Sequence, residues 1–337
     1  MPVDVLYVEG AAEGTCAHRR ALEFFRPALV ETVENLDELR RRLAAALTRD
    51  EAKRRLILAV NRGDFVRPFP GCRSDDEYFL LHAVGCPMSC DYCFLIGYTT
   101  CHVQTVFANV ADMAQEVDRL GAQGRAIYIH TGELADGAYF EPVSGVAAAL
   151  DEVLLRRPNV TVEYRTKWAD LSAFEHLRSK SNIVLAWTLS PEPAAKQFER
   201  GAPAVAMRVR AMAKMAELGF KVGLRLDPII HFPGWREAYE SLLSNLFNEV
   251  SAASIDKVVL GALRFPAGAE ASLRRRLGAS PLLAGEFILD REGRLRYHRF
   301  LRVRLYRNIM EMMRSLAPEL LIELAMETDE VREMVLT

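Results

Sequence analysis

The sequence predicts an α/β protein: a partial (β/α)6-type barrel, preceded by a small N-terminal α/β unit and followed by a C-terminal hairpin plus helix. Three observations carry this expectation. Short β-like runs alternate with helical stretches along most of the 337 residues, the pattern of parallel sheets covered by helices. The candidate helices repeat apolar residues at three-to-four spacing. A cysteine-rich loop directly follows the first strand of the larger alternation, at the strand end where such folds gather their chemistry.

In chain order, a strand is expected at 3–9, then a helical pattern after Cys16 through Ala21, Phe24, Phe25 and Leu29. A strand at 30–33, a helix at 36–47 and a strand at 56–60 complete a small parallel unit, and 61–76 reads as a connector. Further strands are expected at 78–82, 104–108, 126–130, 160–164, 183–188, 221–226 and 257–260. Helices at 111–120, 144–156, 203–218 and 236–250 separate them. Alternation around Asp290 and Gly293 within 286–299 signals a hairpin, and a long helix is expected from 302 to 316. The domain expectation is 1–76 for the N-terminal unit and connector, 77–265 for the barrel and 266–337 for the C-terminal region.

Composition narrows the class. Half of the residues are apolar and 26% are charged, an ordinary globular balance, and the chain is long enough to bury a core without staples. Lys and Arg number 43 against 45 Asp and Glu, so any nucleic-acid surface must be a local basic patch. No apolar run approaches the roughly 20 residues of a membrane span, and Met-Pro-Val-Asp lacks the basic start of a signal peptide. The expectation is a cytoplasmic protein without a membrane partner. Its six cysteines, at 16, 72, 86, 90, 93 and 101, are then reduced thiols, and their crowding favours metal or catalysis over disulfides.

The informative run is Gly85-Cys86-Pro87-Met88-Ser89-Cys90-Asp91-Tyr92-Cys93-Phe94, a C-x3-C-x2-C loop. Three thiolates on one loop suit three irons of a [4Fe–4S] cubane and leave one iron free for another ligand. A structural zinc site, with Cys101, His102 or His82 as fourth ligand, and a group of buried thiols are the competing readings.

The run resembles the signature of radical S-adenosylmethionine (SAM) enzymes, C-x3-C-x-aromatic-C after the first strand. The resemblance implies a cluster on Cys86, Cys90 and Cys93 whose open iron chelates SAM, with the cofactor doing the difficult chemistry. His130-Thr131-Gly132-Glu133, after the second barrel-like strand, looks like the Gly-Gly-Glu element that holds the SAM amino group, although a Gly-Glu pair alone is an ordinary loop. Beyond the signature, the chain resembles the spore photoproduct lyase family, which reverses a methylene-linked thymine dimer in DNA. The matching stretches are 56–60, 86–109, Tyr164-Arg165-Thr166-Lys167, Trp187-Thr188-Leu189-Ser190, Gly219-Phe220-Lys221-Val222-Gly223 and 227–235. By that resemblance Gly132, Glu133, Lys167 and Ser190 contact SAM; a solvated surface charge is the plainer reading of Lys167. A reducing partner such as flavodoxin or ferredoxin is implied as electron donor.

Two departures accompany the matches. The family's hydrogen-donating cysteine corresponds to His130, and of the tyrosines flanking the third cluster cysteine the chain keeps Tyr92 but has Phe94. Both changes point to a radical that is quenched differently or reacts onward. Tyr98 and Cys101 are candidate substitute donors; a small buried thiol is the plainer reading of Cys101. His130 is read as a substrate-holding group, an acid/base group or a satisfied core histidine.

Between 291 and 307 stand seven arginines and one acid. On a hairpin running into a helix, Arg294, Arg296 and Arg299 are expected to grip phosphates, with Tyr297 as a wedge beside an extruded base. The family resemblance places a hairpin of this region at damaged DNA. The alternative is a solvated arginine face paired with acids such as Glu286 and Glu311. Arg274-Arg275-Arg276 is a second candidate phosphate site. The reaction expected is hydrogen abstraction from a thymine-dimer-type DNA lesion, leading to its reversal. The alternatives are a lyase-like radical enzyme with another substrate, and a zinc- or cluster-containing nucleic-acid binding protein without catalysis.

Overall fold

Side-chain caps start the N-terminal helices. Thr15 accepts from the His18 amide at 3.2 Å ahead of the helix Cys16–Phe25, and Asn35 accepts from the Glu38 amide at 3.0 Å ahead of Leu36–Ala46. Thr48 and Glu51 close a reciprocal capping box on the short helix Arg49–Lys53. The computed structural model describes residues 2–69, 76–99, 101–278, 280–283, 285 and 287–336, and for 96, 97, 270, 272 and 276 the backbone alone. Cys72, Glu286 and the Arg276 side chain lie outside the described residues.

The chain forms two compact units, Met1–Met88 with Thr99–Val184, and Ser89–Tyr98 with Leu185–Thr337. The first contains strands β1 (Val5–Glu9), β2 (Leu29–Val33), β3 (Arg55–Ala59), β4 (Val66–Pro68), β5 (Glu77–Leu80), β6 (Ala83–Val84), β7 (Gln104–Phe107), β8 (Ile127–Thr131) and β9 (Val160–Thr166). One of its sheets runs β2-β1-β3-β7-β6. Leu6, Val8, Leu56, Leu58, Val106 and Phe140 share one buried cluster beside it. In the other sheet β4 pairs antiparallel with β5, and β5, β8 and β9 pair in parallel.

Two expectations are corrected here. The strand at 104–108 was placed in the larger β/α alternation, but β7 lies in the N-terminal sheet, parallel to β3 and antiparallel to β6. All four of its residues are buried, and the β3 edge supplies the backbone partners that a buried strand must have. The connector at 61–76 also contains β4, a short edge strand ending in Pro68, where a missing amide costs nothing.

The second unit contains β10 (Ile183–Thr188, whose first two residues belong to the first unit), β11 (Lys221–Ile229), β12 (Ile255–Ala262), β13 (Arg264–Phe265), β14 (Phe287–Leu289), β15 (Leu295–Tyr297) and β16 (Ile322–Leu324). Strands β11, β12 and β16 pair in parallel, and β13, β15 and β14 form a small antiparallel sheet. The expected class, an α/β partial barrel, is observed. The long C-terminal helix begins at Arg299 rather than 302. The helix expected from 144 starts at Val146, because Gly145 at φ +69° ends the preceding turn Glu141–Ser144. Among the described residues no helix is long and apolar enough to cross a membrane.

Two measurements test this packing. Leu58, fully buried, is expected to cost about 2–5 kcal/mol as Leu58→Ala, read as a lower urea midpoint. Glu141 is buried and accepts the Ala147 amide at 2.8 Å, and burial pushes its carboxyl up to about 7. It holds a proton in the folded chain where the unfolded carboxyl, near 4.5, has lost it. Stability is therefore highest below that lower value and falls by about 3 kcal/mol as pH rises through the upper one. In Glu141→Gln that decline is expected to vanish from urea titrations run at pH values spanning the window.

Candidate active site

In the first unit, strand β8 delivers His130 and Thr131 to a tight loop. Gly132 sits at φ +87°, and a Cβ there would lie 2.7 Å from the Arg165 carbonyl oxygen. Gly137 is as confined, 2.5 Å from the Thr131 hydroxyl by the same measure, and its amide donates to the Arg165 carbonyl at 2.8 Å. Only glycine satisfies both positions. Between them Asp136, buried, accepts from the amides of Ala138 at 3.1 Å, Tyr139 at 3.0 Å and Lys167 at 2.9 Å, and from the Thr166 hydroxyl at 2.6 Å. One carboxylate thus ties the loop bearing Glu133 to the strand end bearing Lys167.

The same loop reaches the first cluster cysteine. The Gly85 amide donates to the Leu134 carbonyl at 2.7 Å, immediately before Cys86. Tyr139, buried with its ring edge-on to Trp168 at 4.7 Å, has its hydroxyl pushed up to about 12 by burial, then by Cys86 and Asp136. Sequence reading missed Tyr139 and Asp136, whose only sequence signal is position, a few residues beyond Gly132-Glu133.

His130 is buried with both ring nitrogens facing carboxylates: Nδ1 to Glu163 at 2.7 Å and Nε2 to Glu77 at 3.0 Å. Parallel register makes Glu163 its cross-strand neighbour. Arg165 bonds Glu163 through Nε at 2.7 Å and also pairs with Glu133. Phe69 lies under this group, 4.6 Å from the imidazole and 5.0 Å from the guanidinium. Cys101 is a half-buried free thiol.

In the second unit, the amides of Ser89 and Asp91 donate to the carbonyls of Arg200 and Phe198, both at 2.8 Å, which holds the loop carrying Cys90 and Cys93. Tyr92 donates its hydroxyl to Glu199, which also accepts from Ser190 at 2.9 Å and pairs with Arg208 at 2.6 Å. Arg208 and Glu199 are both buried, and Arg208 also donates to the carbonyls of Pro203 at 2.8 Å and Thr188 at 3.2 Å, so these bonds together offset their desolvation. Burial, then the Glu199 charge, lifts the Tyr92 hydroxyl well above its ordinary range. Tyr98 is exposed and packs its ring 5.5 Å from exposed Phe94. The Glu199–Arg208 pair carries no local sequence motif and was not foreseen.

The nucleic-acid expectation is corrected at two residues. Arg296 and Tyr297 are 1% and 2% exposed, because β15 is the middle strand of its sheet. Arg296 pairs with Asp290 and Glu327, each at 3.2 Å, and Tyr297 stacks on Phe287 at 4.9 Å. Arg294 is half-buried and paired with Glu292, while Arg299 is exposed and paired with Glu330. Arg291, Arg304 and Arg307 are exposed as well.

Cys86, Cys90 and Cys93 lie on one loop of the chain, with Cys90 buried and the other two half-buried. Soft thiolates in that number suit an iron–sulfur cluster, so the donor set fits. Among the described residues no group of three or more His, Cys, Asp or Glu side chains is arranged to hold a metal ion.

The family model described as spore photoproduct lyase matches residues 44–300. Spore photoproduct lyase of Clostridium acetobutylicum is 20% identical over 61% of this chain and 61% of its own length. That of Bacillus subtilis is 21% identical over 58% and 57%. The chain thus spans about three fifths of the curated relatives it matches. A solved spore photoproduct lyase mutant with bound AdoMet and dinucleoside spore photoproduct superposes with a TM-score of 0.81, at 16% identity, over 96% of this chain and 98% of that one. Another spore photoproduct lyase structure, complexed with dinucleoside spore photoproduct, gives 0.81 at 16% identity over 96% and 99%. At this identity these likenesses show the fold.

The buried carboxylate makes its own test. Arg208→Met, which strands Glu199, is expected to cost about 3–5 kcal/mol, and adding Glu199→Gln to recover most of it, both read from thermal and urea unfolding.

Proposed function

The chain belongs to the spore photoproduct lyase family, and from that premise we propose that it is a radical SAM lyase that reverses a thymine-dimer-type lesion in DNA. The single observation that supports this most is the physical link between two motifs of one chemistry: the Gly85 amide, next to Cys86, bonds the loop carrying Gly132 and Glu133. Cys86, Cys90 and Cys93 would hold a [4Fe–4S] cluster. Glu133, Lys167 and Ser190 would hold SAM, Glu133 facing its amino group and Lys167 its carboxylate. Bound there, cluster and cofactor supply a 5′-deoxyadenosyl radical able to abstract hydrogen from the lesion.

The protein's own work is positioning. Asp136 fixes the distance between the Glu133 loop and Lys167, and Arg165 sets the carboxylate of Glu133. Glu199 orients the hydroxyls of Tyr92 and Ser190. Arg294, the exposed arginines at 291, 299, 304 and 307, and Arg274 and Arg275 are candidates for phosphate contact in place of Arg296 and Tyr297. A flavodoxin or ferredoxin would deliver the electron, in the cytoplasm, where thiols stay reduced.

A second reading, the same radical chemistry on another substrate, is favoured by His130. Where the family carries a hydrogen-donating cysteine, this chain has an imidazole with both nitrogens occupied. Such a group gives up no hydrogen atom, so the product radical must be quenched from elsewhere, Tyr98 and Cys101 being candidates.

Anaerobically reconstituted protein is expected to form 5′-deoxyadenosine from SAM under reduction, and serine at 86, 90 and 93 to bring that to background. With deuterium-labelled dimer-containing DNA, restoration of two separate thymines with label in 5′-deoxyadenosine is the expected result. Absence of both, with 5′-deoxyadenosine still formed, favours the other substrate. His130→Cys is expected to raise the fraction of repaired product among all products, read by chromatography.

A further inference from the structure

Lys53 ends the helix Arg49–Lys53 and is 6% exposed. Its ammonium donates to the carbonyl oxygen of Cys86. Its own carbonyl accepts from the buried Gln104 amide at 2.9 Å, and Gly85 fits against Gln104 so closely that a Cβ would lie 3.0 Å from the Gln104 Cα. The helix end, strand β7 and the start of the cysteine loop are therefore locked together. The region is cationic: His102 is pushed down from its ordinary value by burial, then by Arg49 and Lys53.

We propose that Lys53 is an electrostatic positioning residue for an iron–sulfur cluster on Cys86, holding the Cys86 peptide and raising the cluster's reduction potential. The proposal rests on the reading of Cys86 as a cluster ligand. Reduction passes one electron from a flavodoxin or ferredoxin into the cluster; the donor is oxidised by one electron and no bond forms or breaks. The reduced cluster is more negative by one charge, so a fixed cation beside its ligand stabilises that state more than the oxidised one. Burial keeps salt from screening the effect.

The test uses full-length Lys53→Met, Lys53→Gln and Lys53→Arg, reconstituted anaerobically without SAM. Iron and sulfide content is measured, and redox titration is followed by electron paramagnetic resonance. At the wild-type midpoint, the Met and Gln variants are expected to show a reduced-to-oxidised ratio at least about tenfold lower, a shift of about 59 mV to more negative potential. Arg is expected to stay within about threefold of wild type. Met and Gln variants titrating with the wild type, or Arg shifting as far as they do, overturn the proposal. If the Met variant loads no cluster, Gln, which keeps a donor, carries the measurement; loading by Arg alone supports the same need for charge. A wild-type chain that binds no cluster overturns instead the assignment of Cys86.

Discussion

The buried carboxylate of Asp136 is the constraint on which the arrangement in the first unit depends. It accepts hydrogen bonds from three backbone amides and one hydroxyl. A carboxylate taken out of water stays stable only when its lone pairs are filled. Filling them requires the loop after β8 and the end of β9 to meet in one geometry. Through Leu134 that geometry extends to Gly85, and through Gln104 and Lys53 to the small N-terminal sheet. That small sheet is thus a brace for the start of the cysteine loop.

The parts of this arrangement legible in the sequence were those written locally. The spacing of Cys86, Cys90 and Cys93 is a property of eight residues, and the helices at 110–121, 146–156, 205–217 and 235–249 show in their own periodicity. Sheet membership is decided by distant partners. Gln104–Phe107 has the period of a strand wherever it lies, and only the free edge at Leu56–Ala59 determined its sheet. Arg296 and Tyr297 failed for a related reason: an arginine-rich run looks solvated until the acids that cover it arrive from elsewhere, here Glu327, thirty-one residues on. Thr48-Arg49-Asp50-Glu51 is the exception, a local capping signal present in the sequence and overlooked.

The two units treat their buried charges alike. In the first, His130, Glu77, Glu163, Arg165 and Glu133 form one chain of contacts; in the second, Glu199 gathers Arg208, Tyr92 and Ser190. Such networks hold each side chain in one rotamer, at the cost of desolvation that a hydrophobic core would avoid. The proposed radical reaction would make that exchange sensible, because a reactive intermediate attacks whatever lies within reach, and a fixed side chain is easier to keep out of reach than a mobile one.

Gly132 and Gly137 bracket a loop with no room for a side chain at either end, since the Arg165 backbone occupies both spaces. The consequence is practical for anyone wishing to alter this loop by random mutagenesis. Libraries that vary the whole loop would discard nearly every clone altered at either bracket before selection began. Diversity confined to Glu133 and Leu134, the half-buried positions between the brackets, would preserve the frame and leave buried Ala135 and Asp136 in place.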